Sequence, residues 1–218
     1  ADASAPPHWG MVCAPGPADA AQLHWVEVEQ RLSRRLWHDA APARPEPRLA
    51  PDALLVMGHG ELPRGNPALA GLRLADGRGL GAHDVAAGGA IERVLLSSCM
   101  LGRTDDAFGE PLGFLSTCFA YRARFGVGWL TEVPDEAACL FSLALQFALH
   151  GELARGGAAD AWSRVFHATC AGIEQGAWPP GFAAWIGAEA PWDQQQRFPS
   201  APPPALQRVL PWVVALGA

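Results

Sequence analysis

Lysine is absent from this chain, and all 16 basic residues are arginine. They are scattered without a basic run, and 22 acidic residues leave a net charge of −6. That balance argues against a direct nucleic-acid partner, whose phosphates require clustered positive charge. No stretch reads as long and apolar enough to span a membrane, so no membrane partner is expected. The N-terminus shows neither the charged nor the apolar region of a secretion signal. The five cysteines, at 13, 99, 118, 139 and 170, form no Cys-x-x-Cys pair. Such spacing suggests neither a disulfide frame nor a zinc site, and the thiols read as reduced and cytoplasmic. Nothing in the sequence implies a metal or another cofactor. Helical repeats with a period of about 30–50 residues are also missing. What is present is a globular composition, half apolar and 17% charged. One domain of this size buries about 70% of its unfolded surface.

Two stretches organise the rest. Ala53-Leu54-Leu55-Val56-Met57 runs into Gly58-His59-Gly60, and Val94-Leu95-Leu96 runs into Ser97-Ser98-Cys99-Met100-Leu101-Gly102. An apolar run that stops at turn-forming residues reads as a strand buried on both faces, typical of a parallel sheet. In open parallel sheets the functional crevice lies beyond the carboxyl ends of the strands. If the two strands are neighbours, His59 and Cys99 emerge at one edge. A cysteine nucleophile needs a nearby histidine to form its thiolate and to protonate the leaving group. Taken singly, such a Cys is usually a small buried hydrophobe and such a His a satisfied core residue; the pairing at two strand ends is what singles them out. Other thiol chemistries fit worse. A tyrosine-phosphatase loop needs Arg six positions after the Cys, where Asp105 stands, and a nucleophile elbow needs glycines where Ser97 and Leu101 stand.

Along the chain, residues 1–8 read as a flexible arm and Trp9 to Ala14 as the first strand. Trp25, Val28, Leu32 and Leu36 follow at helical spacing, with Glu27, Gln30, Arg31 and Arg34 on the opposite face. Residues 40–49 read as a loop with room for a short edge strand, and 73–89 as a hairpin and short helix capped by Asp84. Residues 103–106 read as a polar loop, 112–119 as a helix and 125–131 as a further parallel strand. Helices are expected over 137–150 and 160–173, and a loop leading into the last strand over 178–187. Residues 191–218 read as a Pro-rich extension with a short apolar helix over 206–216. The alternation of strands and helices predicts an α/β sandwich with a mostly parallel sheet.

Gly58-His59-Gly60 followed by Leu95 to Gly102 resembles the CHAT family of caspase-like cysteine peptidases, relatives of separase, caspases and gingipains. Three further segments support the resemblance in order: Leu72-Arg73-Leu74-Ala75-Asp76-Gly77-Arg78-Gly79-Leu80, the stretch Gly109 to Phe114, and Gly126 to Ala137. The match runs from about residue 50 to about residue 150, within a domain set at 9–190. The resemblance implies a caspase-like three-layer α/β/α sandwich and a cysteine endopeptidase. In it, His59 and Cys99 form the catalytic dyad, and the Gly60 and Cys99 amides bind the oxyanion. Asp135 matches the acidic residue that separase-like enzymes use to hold a basic side chain, and its alternative role is to cap the helix beginning at Glu136. Glu132, Asp105 and Asp106 are further acidic candidates for substrate binding, and the small Ser97 leaves room for a peptide. The implied partners are a protein substrate and a regulator or sensor on another chain, in a bacterial defence or signalling system. The rival expectation is a catalytically silent caspase-like binding module.

Overall fold

The computed structural model describes residues 9–14, 24–37, 41–42, 52–61, 70–74, 76–86, 91–99, 101–102, 105–107, 110–156, 161–189 and 198–217. The arm at 1–8 and Arg103, Thr104 and Met100 lie outside them. Five short strands make the parallel part of the central sheet: β1 (Trp9–Ala14), β2 (Ala41–Pro42), β3 (Ala53–Gly58), β7 (Arg93–Ser97) and β10 (Phe125–Trp129). The sixth, β11 (Val213–Gly217), pairs antiparallel with β10. The order across the sheet is β11-β10-β7-β3-β1-β2. All six residues of β3 are buried, as expected of a strand covered on both faces.

Side-chain alternation divides the core in two. Met11, Leu55, Met57, Leu95, Val127 and Trp129 point to one face. That face is covered by α1 (His24–Leu36), α4 (Asp135–Ala154), α5 (Ala161–Glu174), α6 (Phe182–Glu189) and α7 (Pro204–Val209). Leu54, Val56, Val94 and Leu96 point to the other, covered by α2 (Ala82–Ala86) and α3 (Phe114–Ala120). The protein is thus a mixed α/β structure with helices on both faces of a mostly parallel sheet. Two small antiparallel ribbons flank it: β4 (Gly60–Glu61), β5 (Gly71–Arg73) and β6 (Gly79–Gly81) in one, β8 (Asp105–Ala107) and β9 (Glu110–Leu112) in the other. Asp84 Oδ2 accepts the Gly81 N–H at 2.9 Å, securing the start of α2.

Three expectations change. Of the polar loop expected over 103–106, Asp105 and Asp106 instead pair with Leu112 and Pro111 in the β8–β9 ribbon, and 103–104 lie outside the described residues. Residues 182–189 form α6 and not a strand; Phe182 and Ile186, one turn apart, are both fully buried on one side of it. The last strand lies further on, where Val213 to Gly217 run beside β10 after a short helix and the 3-10 turn Leu210–Trp212.

α4 also corrects a reading. It is long and apolar enough by length and composition to cross a membrane, with a mean hydropathy of 1.4 over its best window. Yet 61% of that window is buried inside the protein, against α1, α5 and α7. Acidic residues at its first turn, Asp135 and Glu136, complement the positive end of the helix dipole.

Candidate active site

The two motif strands are direct neighbours. β3 and β7 pair in parallel from Ala53↔Arg93 to Met57↔Ser97, so the next residues of each strand, leading to His59 and Cys99, leave the sheet side by side. Backbone bonds hold the His59 end in place: its N–H donates to Ala14 O at 3.3 Å, and its carbonyl accepts the Arg73 N–H at 2.9 Å. The histidine is half-buried. Gly60 lies directly on the Cys99 backbone, and a Cβ built there would overlap the Cys99 carbonyl oxygen and stand 3.0 Å from its carbon. No side chain can yield to relieve that clash. Gly60→Ala is therefore expected to destabilise the fold by about 1–3 kcal/mol. Gly79→Ala, where nothing lies within 4 Å, should change little. Urea denaturation of the two variants checks this; equal midpoints would mean the strand ends are looser than this packing.

After Cys99, a second pair of glycines brings the chain back onto β10. A Cβ on Gly128 would stand 2.8 Å from Gly102 Cα, and the Gly102 N–H donates to Trp129 O at 2.9 Å. The segment after Cys99 is thus stitched to β10, whose exit carries Glu132 and Asp135.

Cys99 Sγ sits between the backbone groups of Val133, donating to its carbonyl and accepting from its amide, each at 3.4 Å. Its hydrogen-bond partner is therefore the loop after β10 and not His59. Burial pushes the thiol above its ordinary value; the Val133 amide pulls the other way, while the Glu132 and Asp135 carboxylates add to the rise. At neutral pH the sulfur is therefore a thiol and not a thiolate.

Glu132 is exposed and Asp135 half-buried beside it. Asp135 does not cap its own helix, whose N-cap is Pro134 with no side-chain bond. Its Oδ2 instead accepts the Trp25 N–H at 3.0 Å, closing the N-terminal turn of α1 from outside. Ser97 is buried, and its hydroxyl donates to Glu29 Oε2 at 2.7 Å, toward the α1 layer. Asp105 and Asp106 lie in β8, and their side chains are outside what is described. The structure thus brings together His59, Gly60, Cys99, Glu132 and Asp135, and turns Ser97 elsewhere. The neighbouring Ser98 is buried with no hydrogen-bond partner for its hydroxyl.

Glu29 is the residue that sequence reasoning passed over. It is 1% exposed, and burial raises its carboxyl from the ordinary 4.5 to about 8. Ser142 and Ser97 hydroxyls favour its charged form, and Asp135 opposes it. Ser142 in turn accepts from Gln146 Nε2 at 3.0 Å, and Gln146 Oε1 accepts the Trp37 indole N–H at 3.1 Å. A buried polar chain therefore runs from Trp37 to the β7 end. Its signal was in the sequence: Glu29 falls on the same helical stripe as Trp25, Val28 and Leu32.

No protein-family model matches the chain, and no curated protein matches it either.

Proposed function

We propose that the protein is a caspase-like cysteine endopeptidase that cleaves a partner protein after a basic residue. The observation that carries this reading is the adjacency of β3 and β7, which delivers His59 and Cys99 to one sheet edge with Gly60 pressed against the nucleophile's backbone. Cys99 Sγ attacks the scissile carbonyl while His59 takes the thiol proton. The same imidazolium then protonates the leaving amine, and water releases the acyl group with His59 as base. The Gly60 and Cys99 amides are the oxyanion donors. Around the sulfur the charge is negative, which suits a substrate Arg or Lys, with Asp135 and Glu132 as its partners and Asp105 and Asp106 on the neighbouring ribbon. In the cell the enzyme acts in the cytoplasm under a separate regulator, in a bacterial defence or signalling system. One observation favours a second reading, a catalytically silent binding module: the protonated thiol held against Val133 is not poised to react.

Covalent capture separates the two. A peptidyl acyloxymethyl ketone ending in Arg should label Cys99 faster than one ending in Asp. Asp135→Asn keeps an acceptor for the Trp25 amide but removes the charge. Losing a charge-assisted pair worth about 1.5–3 kcal/mol should cut the Arg preference roughly 10- to 100-fold. Labelling that ignores the peptide would discard the peptidase reading; an Arg preference unchanged in Asp135→Asn would discard the acidic pocket alone.

A further inference from the structure

The contacts around the nucleophile close into a ring. Cys99 Sγ holds Val133. Two residues on, Asp135 holds the Trp25 amide of α1. One helical turn later on α1, Glu29 holds Ser97, which lies two residues before Cys99. Helix α1 is therefore tied at two points to the two segments whose relative position sets where the thiol lies. We propose that Glu29 is a positioning residue for Cys99: its bond to Ser97, with that of Asp135 to Trp25, fixes the two segments that lodge the thiol against Val133, and a charge on Glu29 loosens these ties and frees the thiol. This deepens the peptidase reading by naming how the site is held at rest, but it concerns the exposure of the thiol and not the reaction.

Among the described residues Glu29 Oε1 finds no hydrogen-bond partner, so a charge on the carboxylate would keep the Ser97 donor and the influence of Ser142. No cation is among the groups that bear on it. Asp135 and Cys139 face it from α4, and Cys13 from β1, and none of these supplies a positive charge. On α1 itself Arg31 and Arg34 are solvent-exposed; Arg34 bears on Cys13 and neither bears directly on Glu29. An uncompensated buried carboxylate must gain water or move. The groups nearest that charge are the two ties of α1, Trp25 to Asp135 and Glu29 to Ser97, because the rest of the helix is anchored by Val26, Val28, Leu32 and Leu36 in the core. Loosening these ties acts on Ser97 and Asp135 together, the two neighbours of the Cys99–Val133 clamp. A partner that draws α1 away from the sheet would have the same effect, which gives the regulator a place to act.

The test is residue-resolved alkylation of the intact protein with iodoacetamide between pH 6.5 and 9, read on the Cys99 peptide by mass spectrometry. A thiol titrating alone gains at most tenfold in rate per pH unit. The wild type should exceed that across pH 7.5–8.5, because Glu29 ionises in the same window. Glu29→Gln keeps an acceptor for Ser97 but carries no charge, and its Cys99 should follow the simple tenfold line. At pH 8.5, with rates normalised at pH 6.5, the wild type should react at least threefold faster than this variant. Ser97→Ala breaks the ring from the other side and should also lose the steep segment. Identical profiles in wild type and Glu29→Gln, or a slower wild type at high pH, would overturn the proposal. Neither result depends on peptide cleavage, so the peptidase reading stands or falls separately.

Discussion

Replacing Glu29 by Gln should stabilise the protein at pH 8 and leave it nearly unchanged at pH 5. The carboxyl is fully enclosed by α1, β7 and α4, and its proton is held up to about pH 8 instead of 4.5. Below pH 4.5 the folded and unfolded chains both carry the proton, so the group is neutral to stability relative to its amide. Between 4.5 and 8 the unfolded chain releases the proton and the folded chain does not. Stability therefore falls as pH rises, by about 1.4 kcal/mol per unit, and levels off above the folded value. At pH 7 the accumulated loss is about 3 kcal/mol, a large share of the stability of a domain this size. Gln preserves the shape, accepts from Ser97 and can donate toward Ser142, but it does not titrate. Urea denaturation of both proteins at pH 5, 6.5 and 8 measures the difference directly. The gap should open with pH in favour of the variant; parallel profiles would mean that Glu29 is hydrated in the folded state.

Loss of His59 should be the most damaging change to catalysis that leaves the nucleophile intact. Burial and the two nearby carboxylates keep the Cys99 sulfur protonated at neutral pH. With no preformed thiolate, the proposed reaction assigns proton removal to the histidine at the neighbouring strand end. General acid–base assistance of this kind is worth roughly 10²- to 10⁴-fold, and His59→Ala should lower kcat by that factor at pH 7. Raising the pH to 9 should recover part of the loss, since solvent then ionises a growing share of the thiol. A defect equal at both pH values would mean that His59 acts on the leaving group alone. His59 lies at the end of β3 and is half-buried, so its removal should not disturb the strand before it.

The elements easiest to read in the sequence were those whose physics is local. β3 and β7 are uninterrupted apolar runs because both faces of the sheet are covered, and such runs end where the sheet ends. That placed His59 and Cys99 at strand termini, and the 40 positions between them left room for the crossover that makes the strands neighbours. α1 and α5 announced themselves by spacing. α6 did not, because a short run such as Phe182-Ala183-Ala184-Trp185-Ile186 satisfies both periods, and only the packing of Phe182 and Ile186 decides between them. β11 has the same ambiguity: Val213 to Gly217 become a strand through five residue pairs with β10, from Phe125↔Gly217 to Trp129↔Val213, a long-range pairing with no local mark. The β8–β9 ribbon is polar and held by its backbone, so its side chains carry no alternation to read. At the candidate site, His59 and Cys99 stood out by type and position. The roles of Asp135 and Ser97 did not, since both bond to α1, more than 60 residues away in each case. Glu29 was hidden for a different reason. A carboxyl is expected on the solvent face of a helix, and only its place in the apolar stripe betrays it.

The central claim is that Cys99 and His59 form a peptide-cleaving pair, and one measurement bears on it most directly. Purified protein and its Cys99→Ala variant are incubated with fluorogenic peptides ending in Arg, Lys or Asp, and release is followed at pH 7–9. The account predicts release from the Arg and Lys peptides that disappears in Cys99→Ala, with little from the Asp peptide. Release that persists in Cys99→Ala, or no release from any peptide by a protein whose Cys99 also escapes the peptidyl ketone, would contradict it.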